Sequence, residues 1–257
     1  MSMTKEDLVD LALSVTGIPR QRWDSLLEEM RSDAQMNLRM KGEWFAAKRD
    51  SEKAIREYYR ESEIWFLNTF YHGLGALLGM ANGTPCGFYG WAHKLSSNIN
   101  PWDGVVLDYG GGFFKDTWPM IIAGYRVDVA EVRGPVTEFL KKFIQLAKLE
   151  RLARVVEVDS ETPIKEMYSG IACFETLEHV LHPEALTKHL HSHLNPGGLF
   201  AFSVTFGAPD HAPYHVASNA PLGNWETWAA ILRNIGFSEF WVDPNCGGKK
   251  WTEDEFG

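Results

Sequence analysis

The chain has 257 residues, of which 45% are apolar, and this length permits one sizeable core or a domain with a cap. Its formal net charge of −9 at pH 7 argues against a broad nucleic-acid or anionic-membrane surface, because phosphate binding depends on clustered Lys and Arg. Cys86, Cys173 and Cys246 lie far apart without CxxC spacing, which predicts reduced thiols rather than a disulfide framework or a zinc site.

Neither a secretory signal nor a membrane span is predicted. The N-terminus lacks an apolar run followed by a cleavage-site pattern. The longest apolar stretch, near residues 74–81, is interrupted by glycines and is too short to cross a bilayer. These features, together with the reduced thiols, predict a cytoplasmic protein.

The chain begins with a segment whose apolar spacing is helical. A first helix is predicted after Thr4 as N-cap, with Gly17 as its end, because apolar residues between them recur at i, i+3, i+4 and i+7. The same spacing continues over residues 23–30, after Pro19, and predicts a second helix.

A third helix is predicted from near Ser51 through an aromatic stretch that ends at Tyr71. The glycine-rich segment from Gly73 to Gly90 is then expected to break regular structure. Residues 1–100 are therefore predicted to form an N-terminal helical cap that packs onto the remainder of the chain.

From Val105 the pattern changes to short apolar runs that alternate with helices. The predicted strands are residues 105–108, 125–131, 154–159, 171–174 and 199–204, the last of them after a turn at 195–198. Helices are predicted after the first strand, over 135–149 and around 183–194. Repeated βα units predict an α/β fold, a Rossmann-like doubly wound and mostly parallel sheet over residues 101–257. Ligands of such sheets bind beyond the carboxyl ends of the strands.

The first predicted strand leads directly into the glycines at positions 110, 111 and 112. They let the backbone approach a ligand and leave N–H groups at the start of a helix. A dinucleotide fingerprint needs a third small residue, but Phe113, Phe114 and Lys115 follow, and Asp108 would repel a pyrophosphate. S-adenosylmethionine (SAM) carries a sulfonium and an ammonium and no phosphate, so Asp108 suits it better. Glu131 is placed to bind the ribose of either cofactor and does not discriminate.

The order and spacing of several segments resemble the class I SAM-dependent methyltransferases, in the branch that includes the ubiquinone-biosynthesis O-methyltransferases. The segments are VLDYGGG (106–112), VDVAE (127–131), VEVDS (156–160), CFETLEHV (173–180) and LNPGGLFAFS (194–203). The resemblance covers roughly Trp102 to Val242 and leaves the first hundred residues without a counterpart. It implies SAM as cofactor and methyl transfer to an oxygen or nitrogen of a small-molecule acceptor. The acidic net charge and the lack of a long apolar segment separately predict neither nucleic acid nor membrane as partner.

The resemblance also implies where SAM binds. Its amino-acid end would lie at Asp108 and the glycine backbone, its ribose at Glu131, and its adenine near Val132 and Asp159. The implied cofactor-binding residues are Asp108, Gly110, Gly111, Gly112, Glu131, Val132, Asp159, Ser160, Phe174 and Glu175.

Two positions depart from the pattern of this family. Phe114 stands where a third glycine is usual, and its bulky ring is expected to displace the cofactor or to shift the following helix. A SAM-fold binding or scaffold protein without catalysis therefore remains an alternative, and a nicotinamide-dependent oxidoreductase is a weaker one. The family usually ends in two antiparallel strands, of which residues 237–243 match the first.

An acceptor hydroxyl needs a base to take up its proton, and histidine titrates in the right range. His179 follows the fourth predicted strand, and His211 and His215 follow the fifth, so all three are expected near the opening of the cleft at the carboxyl ends of the strands. A divalent cation held by these histidines and Glu178 is an alternative, as is a structural role for the Leu-Glu-His-Val segment. From the sequence alone, we assign the histidines as catalytic candidates and assign no metal ligands.

Overall fold

The computed structural model of the protein describes residues 3–30, 33–83, 100, 104–158, 164–206 and 215–238. Its N-terminal helices are α1 (Lys5–Thr16), α2 (Arg20–Met30), α3 (Asp33–Ala46), α4 (Glu52–Glu61) and α5 (Glu63–Asn82). The strands are β1 (Val105–Tyr109), β2 (Arg126–Val132), β3 (Ala153–Val158), β4 (Tyr168–Phe174) and β5 (Leu194–Ser203). The helices among and after the strands are α6 (Thr117–Ile122), α7 (Pro135–Leu146), α8 (Pro183–Ser192) and α9 (Trp225–Ile235).

The first helix has the predicted caps. The Thr4 side chain accepts a hydrogen bond from the backbone N–H of Asp7, whose carboxylate accepts in turn from the N–H of Thr4. Gly17 ends the helix at φ 70°, a left-handed conformation that favours glycine. Both ends of α1 are therefore fixed by local hydrogen bonds.

The stretch predicted as one helix from Ser51 is two helices that meet at Ser62. Ser62 ends α4 in an extended conformation, and its hydroxyl accepts from the N–H of Trp65 to begin α5. A serine hydroxyl is a good acceptor for the N–H groups that have no partner at the start of a helix. Ser62 therefore favours the end of α4 and the start of a new helix at this position.

The prediction that regular structure breaks at Gly73 is wrong, because α5 continues through it to Asn82. The helix ends only at Gly83, which has φ 67°. Its buried face supplies the packing that outweighs the low helix propensity of glycine. The buried residues of that face are Ile64, Phe66, Leu67, Phe70, Gly73, Ala76, Leu77, Gly79 and Met80.

Within the part of the chain that the structure describes, five parallel strands form one sheet in the order β3-β2-β1-β4-β5, as expected for a Rossmann-like fold. All five predicted strands are present. β5 begins at Leu194, ahead of the predicted turn, and its pairing with β4 is irregular between Tyr168 and Gly170. Gly197, at φ 76°, lies within this irregular start.

The two faces of the sheet carry different helices. Val106 and Val129 face a core shared with α1, α5 and α7, whereas Leu107 and Ile171 face a core shared with α8 and α9. The N-terminal helices thus cover one face of the sheet and join its core. The predicted boundary near residue 100 stays a prediction.

Two further expectations concern the periphery. Among the described residues, no helix is long and apolar enough to cross a membrane. Most of the predicted strand at 237–243 lies outside the described residues.

Candidate functional site

The glycine loop lies at the carboxyl end of β1 and is closely surrounded. Gly110 and Gly112 have φ values of 74° and 47°, in the left-handed region. A Cβ atom at Gly110 would lie 2.2 Å from the hydroxyl oxygen of Thr176. One at Gly111 would lie 2.7 Å from a Val129 methyl group. The loop therefore needs glycine both for its backbone conformation and for its packing.

Asp108 lies directly beneath this loop. It is only 1% exposed, and its carboxyl accepts a hydrogen bond from the Thr117 hydroxyl at the start of α6. Burial above all, with the nearby Asp116 and Glu131, raises the pKa of Asp108 to about 8. The side chain supports the loop and α6 as a largely protonated acid at neutral pH. Its predicted contact with the amino-acid end of SAM stays a prediction.

Glu131, at the end of β2, is bonded to the glycine loop. One carboxylate oxygen accepts from the N–H of Gly112 at 3.1 Å, and the other accepts from the N–H of Val132 at 2.7 Å. Burial raises the pKa of Glu131, while these two N–H groups oppose the shift. The predicted ribose-binding acid and the predicted loop thus border the same space.

The N-terminal helices close over that space. A small cavity is lined by residues of α4 and α5 on one side and by the end of β2 and the start of α7 on the other. Its lining includes Tyr59, Trp65, Thr69, Glu131, Val132 and Pro135. The predicted cofactor site did not include the first three of these. Tyr59 and Trp65 belong to the aromatic stretch, whose near-helical spacing is more typical of core than of a ligand site, and no feature of the sequence indicates Thr69.

The side chain of Phe114 points away from the space beside Glu131 where the cofactor is predicted to bind. Its φ is 65°, so its backbone has the left-handed conformation that the family's usual glycine would adopt easily. Its side chain is fully buried, and its ring packs on Phe143 of α7 with 5.7 Å between ring centroids. The expected obstruction by this ring is not seen, because the ring enters the core.

A second group of predicted residues follows β4. Glu175 has φ 47°, and its N–H donates to the backbone oxygen of Ser203 at the end of β5 at 3.0 Å. The Thr176 hydroxyl donates to the Phe174 carbonyl at 2.9 Å and borders Gly110. Phe174 and Glu175 therefore lie at the carboxyl edge of the sheet, next to the glycine loop.

The short 3-10 turn Leu177–His179 brings an acid and a histidine to the same edge. Glu178 is fully buried, and neither carboxylate oxygen has a hydrogen-bond partner of normal geometry. Burial above all, and then the Glu175 carboxylate, raises the pKa of Glu178. The backbone oxygen of Glu178 accepts from the N–H of Val216 at 2.9 Å, which anchors the segment that carries His215.

His179 and His215 meet beside Glu178. Their ring centroids are 5.0 Å apart, and His215 is 5% exposed. Nδ1 of His179 lies 3.0 Å from the hydroxyl oxygen of Tyr59, on α4. The sequence predicts that these two histidines lie close together, and in the structure they do. His211, Asp159 and Ser160 lie outside the described residues.

A model of a protein family described as a methyltransferase domain matches residues 88–238. The chain belongs to this methyltransferase family. The matched region contains the glycine loop, Glu131 and the Glu178, His179 and His215 cluster. It also begins before β1, within the segment predicted as cap.

Several solved structures resemble the chain at low sequence identity. The glycopeptide N-methyltransferase MtfA in complex with SAM is 21% identical, over 46% of this chain and 56% of that chain, with a TM-score of 0.39. The CcbJ methyltransferase from Streptomyces caelestis is 19% identical, over 44% and 46%, with a TM-score of 0.39. The [4+2]-cyclase SpnF is 13% identical, over 72% of each chain, with a TM-score of 0.46.

The chain spans about half the length of the two solved methyltransferases. No curated protein matches the chain in sequence.

Proposed function

We propose that the chain binds SAM and transfers its methyl group to an oxygen or nitrogen of a small-molecule acceptor. Membership of the methyltransferase family supports the reaction class. The observation that best supports SAM as the cofactor is the hydrogen bond from the Gly112 N–H to the Glu131 carboxylate. It joins the glycine loop to the end of β2, and SAM would contact both.

In this proposal SAM binds along the carboxyl edge of the sheet. Its amino-acid end lies over Gly110–Gly112 above Asp108, and its ribose hydroxyls donate to Glu131. Val132, with Asp159 and Ser160, borders the adenine. The methionine side lies against Phe174 and Glu175, which places the sulfonium near the 3-10 turn.

The transfer is a direct displacement. A lone pair of the acceptor attacks the methyl carbon, and the carbon–sulfur bond breaks with its electron pair passing to sulfur, so that S-adenosylhomocysteine leaves. Holding the two reactants in line removes about 7–11 kcal/mol of barrier. His179, His215 or His211 takes up the proton of a hydroxyl acceptor. An amine acceptor that binds uncharged needs less help from a base.

Two observations argue against the alternative functions. The hypothesis of a scaffold protein without catalysis depended on obstruction of the cofactor site by Phe114, but the ring of Phe114 lies in the core. A nicotinamide-dependent oxidoreductase is disfavoured by membership of a methyltransferase family. Within that family we propose a likeness to the ubiquinone-biosynthesis O-methyltransferases, carried by the CFETLEHV segment (173–180). A cytoplasmic location and partners limited to small molecules belong to the same proposal.

Calorimetric titration of the full chain with SAM and S-adenosylhomocysteine, with NAD as comparison, tests the cofactor. We expect both adenosyl ligands to bind and NAD not to bind. Glu131→Gln removes the charge that accepts from the ribose, so affinity for both should fall by about tenfold or more. Glu138→Gln, an exposed acid on α7, is the matched control and should bind like the unmodified chain.

Binding of NAD in place of SAM would overturn the proposal. So would equal SAM affinity in the Glu131→Gln and Glu138→Gln variants. If SAM binds as expected, incubation with methyl-labelled SAM and a panel of small phenols, alcohols and amines then identifies the acceptor class by transfer of label.

A further inference from the structure

We propose that a groove at the amino ends of the parallel strands binds a small organic anion, in which a carboxylate, sulfonate or phosphate group is attached to an apolar body. The groove is lined by the first residues of β1, β2 and β3, which are Val105, Arg126 and Ala153, and by one face of α7. Its cavity volume is about 410 Å³, within the range of pockets that hold small organic ligands. We call it the amino-end groove.

Cationic side chains outnumber acidic ones in the described lining of the amino-end groove. The cationic residues are Arg126, Lys141, Arg151 and Arg154, and the acidic ones are Asp128 and Glu150. The whole chain has a formal net charge of −9, so the groove runs against the overall balance. A concave surface with an excess of positive charge attracts and concentrates anions.

Arg154 is held in a fixed orientation by a buried acid. The carboxylate of Asp128 is 5% exposed and accepts from Nε of Arg154 at 3.0 Å and from the hydroxyl of Tyr168 at 3.1 Å. The bonds of Arg154 to Asp128 and Glu166 use its Nε and Nη2. Its Nη1 carries two further N–H groups, which a ligand in the groove can use.

Arg126 and Arg151 bring positive charges that have no acidic partner in the described part of the chain. Both side chains are exposed, and neither forms an ion pair or a side-chain hydrogen bond with a described residue. Glu150 is exposed as well and pairs with neither of them. A guanidinium group binds a carboxylate or phosphate through two parallel N–H bonds. We therefore expect these two arginines to hold the anionic group.

The apolar part of the lining selects for an anion with an organic body. Val127, Ile144 and Ala153 are buried residues that line the groove, and Leu152 is 40% exposed beside them. An inorganic anion would leave this apolar surface in contact with water, whereas an aromatic or aliphatic body would cover it. Phosphate or sulfate alone should therefore bind less well than an organic anion.

This inference goes beyond the proposed function and does not depend on it. Arg126 and Glu131 lie at the two ends of β2, which places them about 17 Å apart along the strand. A small ligand bound to Arg126 would therefore not reach SAM bound to Glu131. The amino-end groove would be a second binding site.

Anilinonaphthalene sulfonate is the probe that tests the groove, because it joins a sulfonate to apolar rings and its fluorescence rises when it leaves water. We expect the full chain to bind it at one site, with an affinity that falls as salt is added. Arg126→Gln and Arg151→Gln should each weaken binding by about tenfold. Phenylnaphthylamine has the same rings without the sulfonate, and neither variant should change its binding.

Arg133→Gln is the matched control. Arg133 follows β2 at the opposite edge of the sheet, and its side chain is 62% exposed. This variant loses the same charge and should bind the sulfonate probe like the unmodified chain. The groove would be overturned if the unmodified chain did not bind the probe, or if Arg126→Gln and Arg151→Gln bound it unchanged. A loss in Arg133→Gln as large as theirs would also overturn it.

Two further measurements separate this site from the cofactor site. Saturating S-adenosylhomocysteine should leave probe binding unchanged, and displacement of the probe would overturn the separate groove. Each variant is also titrated with SAM and unfolded with urea, and unchanged results show that a loss of probe binding does not come from unfolding. If the chain binds the probe as expected but not SAM, the proposed function fails and the groove stands. The opposite result removes the groove alone.

Discussion

At the scale of single residues, the environment of Asp108 differs most from what its place in the sequence suggests. An acid at the end of the first strand is expected to face a charged ligand, yet this side chain is 1% exposed and bonded to Thr117. Because burial raises its pKa to about 8, the folded chain holds a proton that the unfolded chain releases near pH 3.8. Asp108 therefore costs stability as the pH rises through that window.

Asp108→Asn should remove this cost. Asparagine resembles the protonated acid in shape, so the variant should match the unmodified chain near pH 4 and exceed it in stability at pH 8. The difference in unfolding free energy should grow by up to about 1.4 kcal/mol per pH unit between these limits. Urea denaturation at several pH values measures it.

Asp7→Asn is the control, because the charged form of Asp7 stabilises the fold whereas that of Asp108 destabilises it. The hydrogen bonds from Thr4 lower the pKa of the exposed Asp7 carboxyl, so its contribution to stability is present above pH 3.8 and is lost in acid. This variant should be less stable than the unmodified chain at neutral pH. An Asp108→Asn difference that does not change with pH would contradict a buried protonated acid.

Some residues of the site can be predicted from the sequence because their roles depend on local position. Gly110 follows β1 and Glu131 lies at the end of β2, and neighbouring parallel strands bring their carboxyl ends to the same edge of the sheet. The place of Tyr59 beside His179 could not be predicted, because a contact between residues 120 positions apart depends on how α4 packs. The burial of the Glu178 carboxylate beside Glu175 likewise depends on what surrounds it in the fold.

At the scale of elements, α5 shows why a glycine-rich sequence can be helical. Gly73 faces the glycine loop, where an added Cβ atom would lie 2.3 Å from Cβ and 2.6 Å from the carbonyl oxygen of Phe113. Gly75 faces open space with nothing within 4 Å of its added Cβ. The sequence predicts a break at these glycines because local propensity disfavours a helix there. The tertiary contact that requires Gly73 is invisible to that rule.

Paired alanine substitutions should separate the two glycines. Gly75→Ala removes the entropic cost of an exposed helical glycine and should stabilise the chain by roughly 0.5–1 kcal/mol. Gly73→Ala forces α5 away from the loop and should destabilise it by about 1–3 kcal/mol. Chemical denaturation of both variants measures the difference. Equal stability in the two variants would show that α5 does not pack on the loop as described.

At the scale of the whole molecule, the N-terminal helices and the sheet share one core. The ring of Phe113, which follows the glycine loop, lies between aromatic rings of both parts. Its centroid is 5.2 Å from that of Phe66, 5.4 Å from that of Phe70 and 5.1 Å from that of Phe139. The sequence predicts the helical cap and the sheet separately, since each has its own apolar period. It does not predict that their apolar faces meet at Phe113.

The full chain should therefore unfold in one transition. In calorimetry the heat measured under a single peak should equal the van't Hoff enthalpy. A chain beginning at residue 101 should lose this cooperativity, because the face of the sheet around Phe113 would be exposed to water. Two separate transitions in the full chain would instead show that the N-terminal helices fold independently.

The two hydrogen bonds of Glu131 have a consequence for ligand selection. This carboxylate accepts one N–H, from Gly112 or Val132, on each of its oxygens, and both oxygens keep lone pairs for further donors. In the proposed complex the two ribose hydroxyls of SAM fill that remaining capacity. An analogue that lacks one hydroxyl leaves a half-buried acceptor without its donor, which costs more than the net value of one hydrogen bond. The site should thus discriminate against deoxyribose ligands more strongly than the loss of one hydrogen bond would suggest.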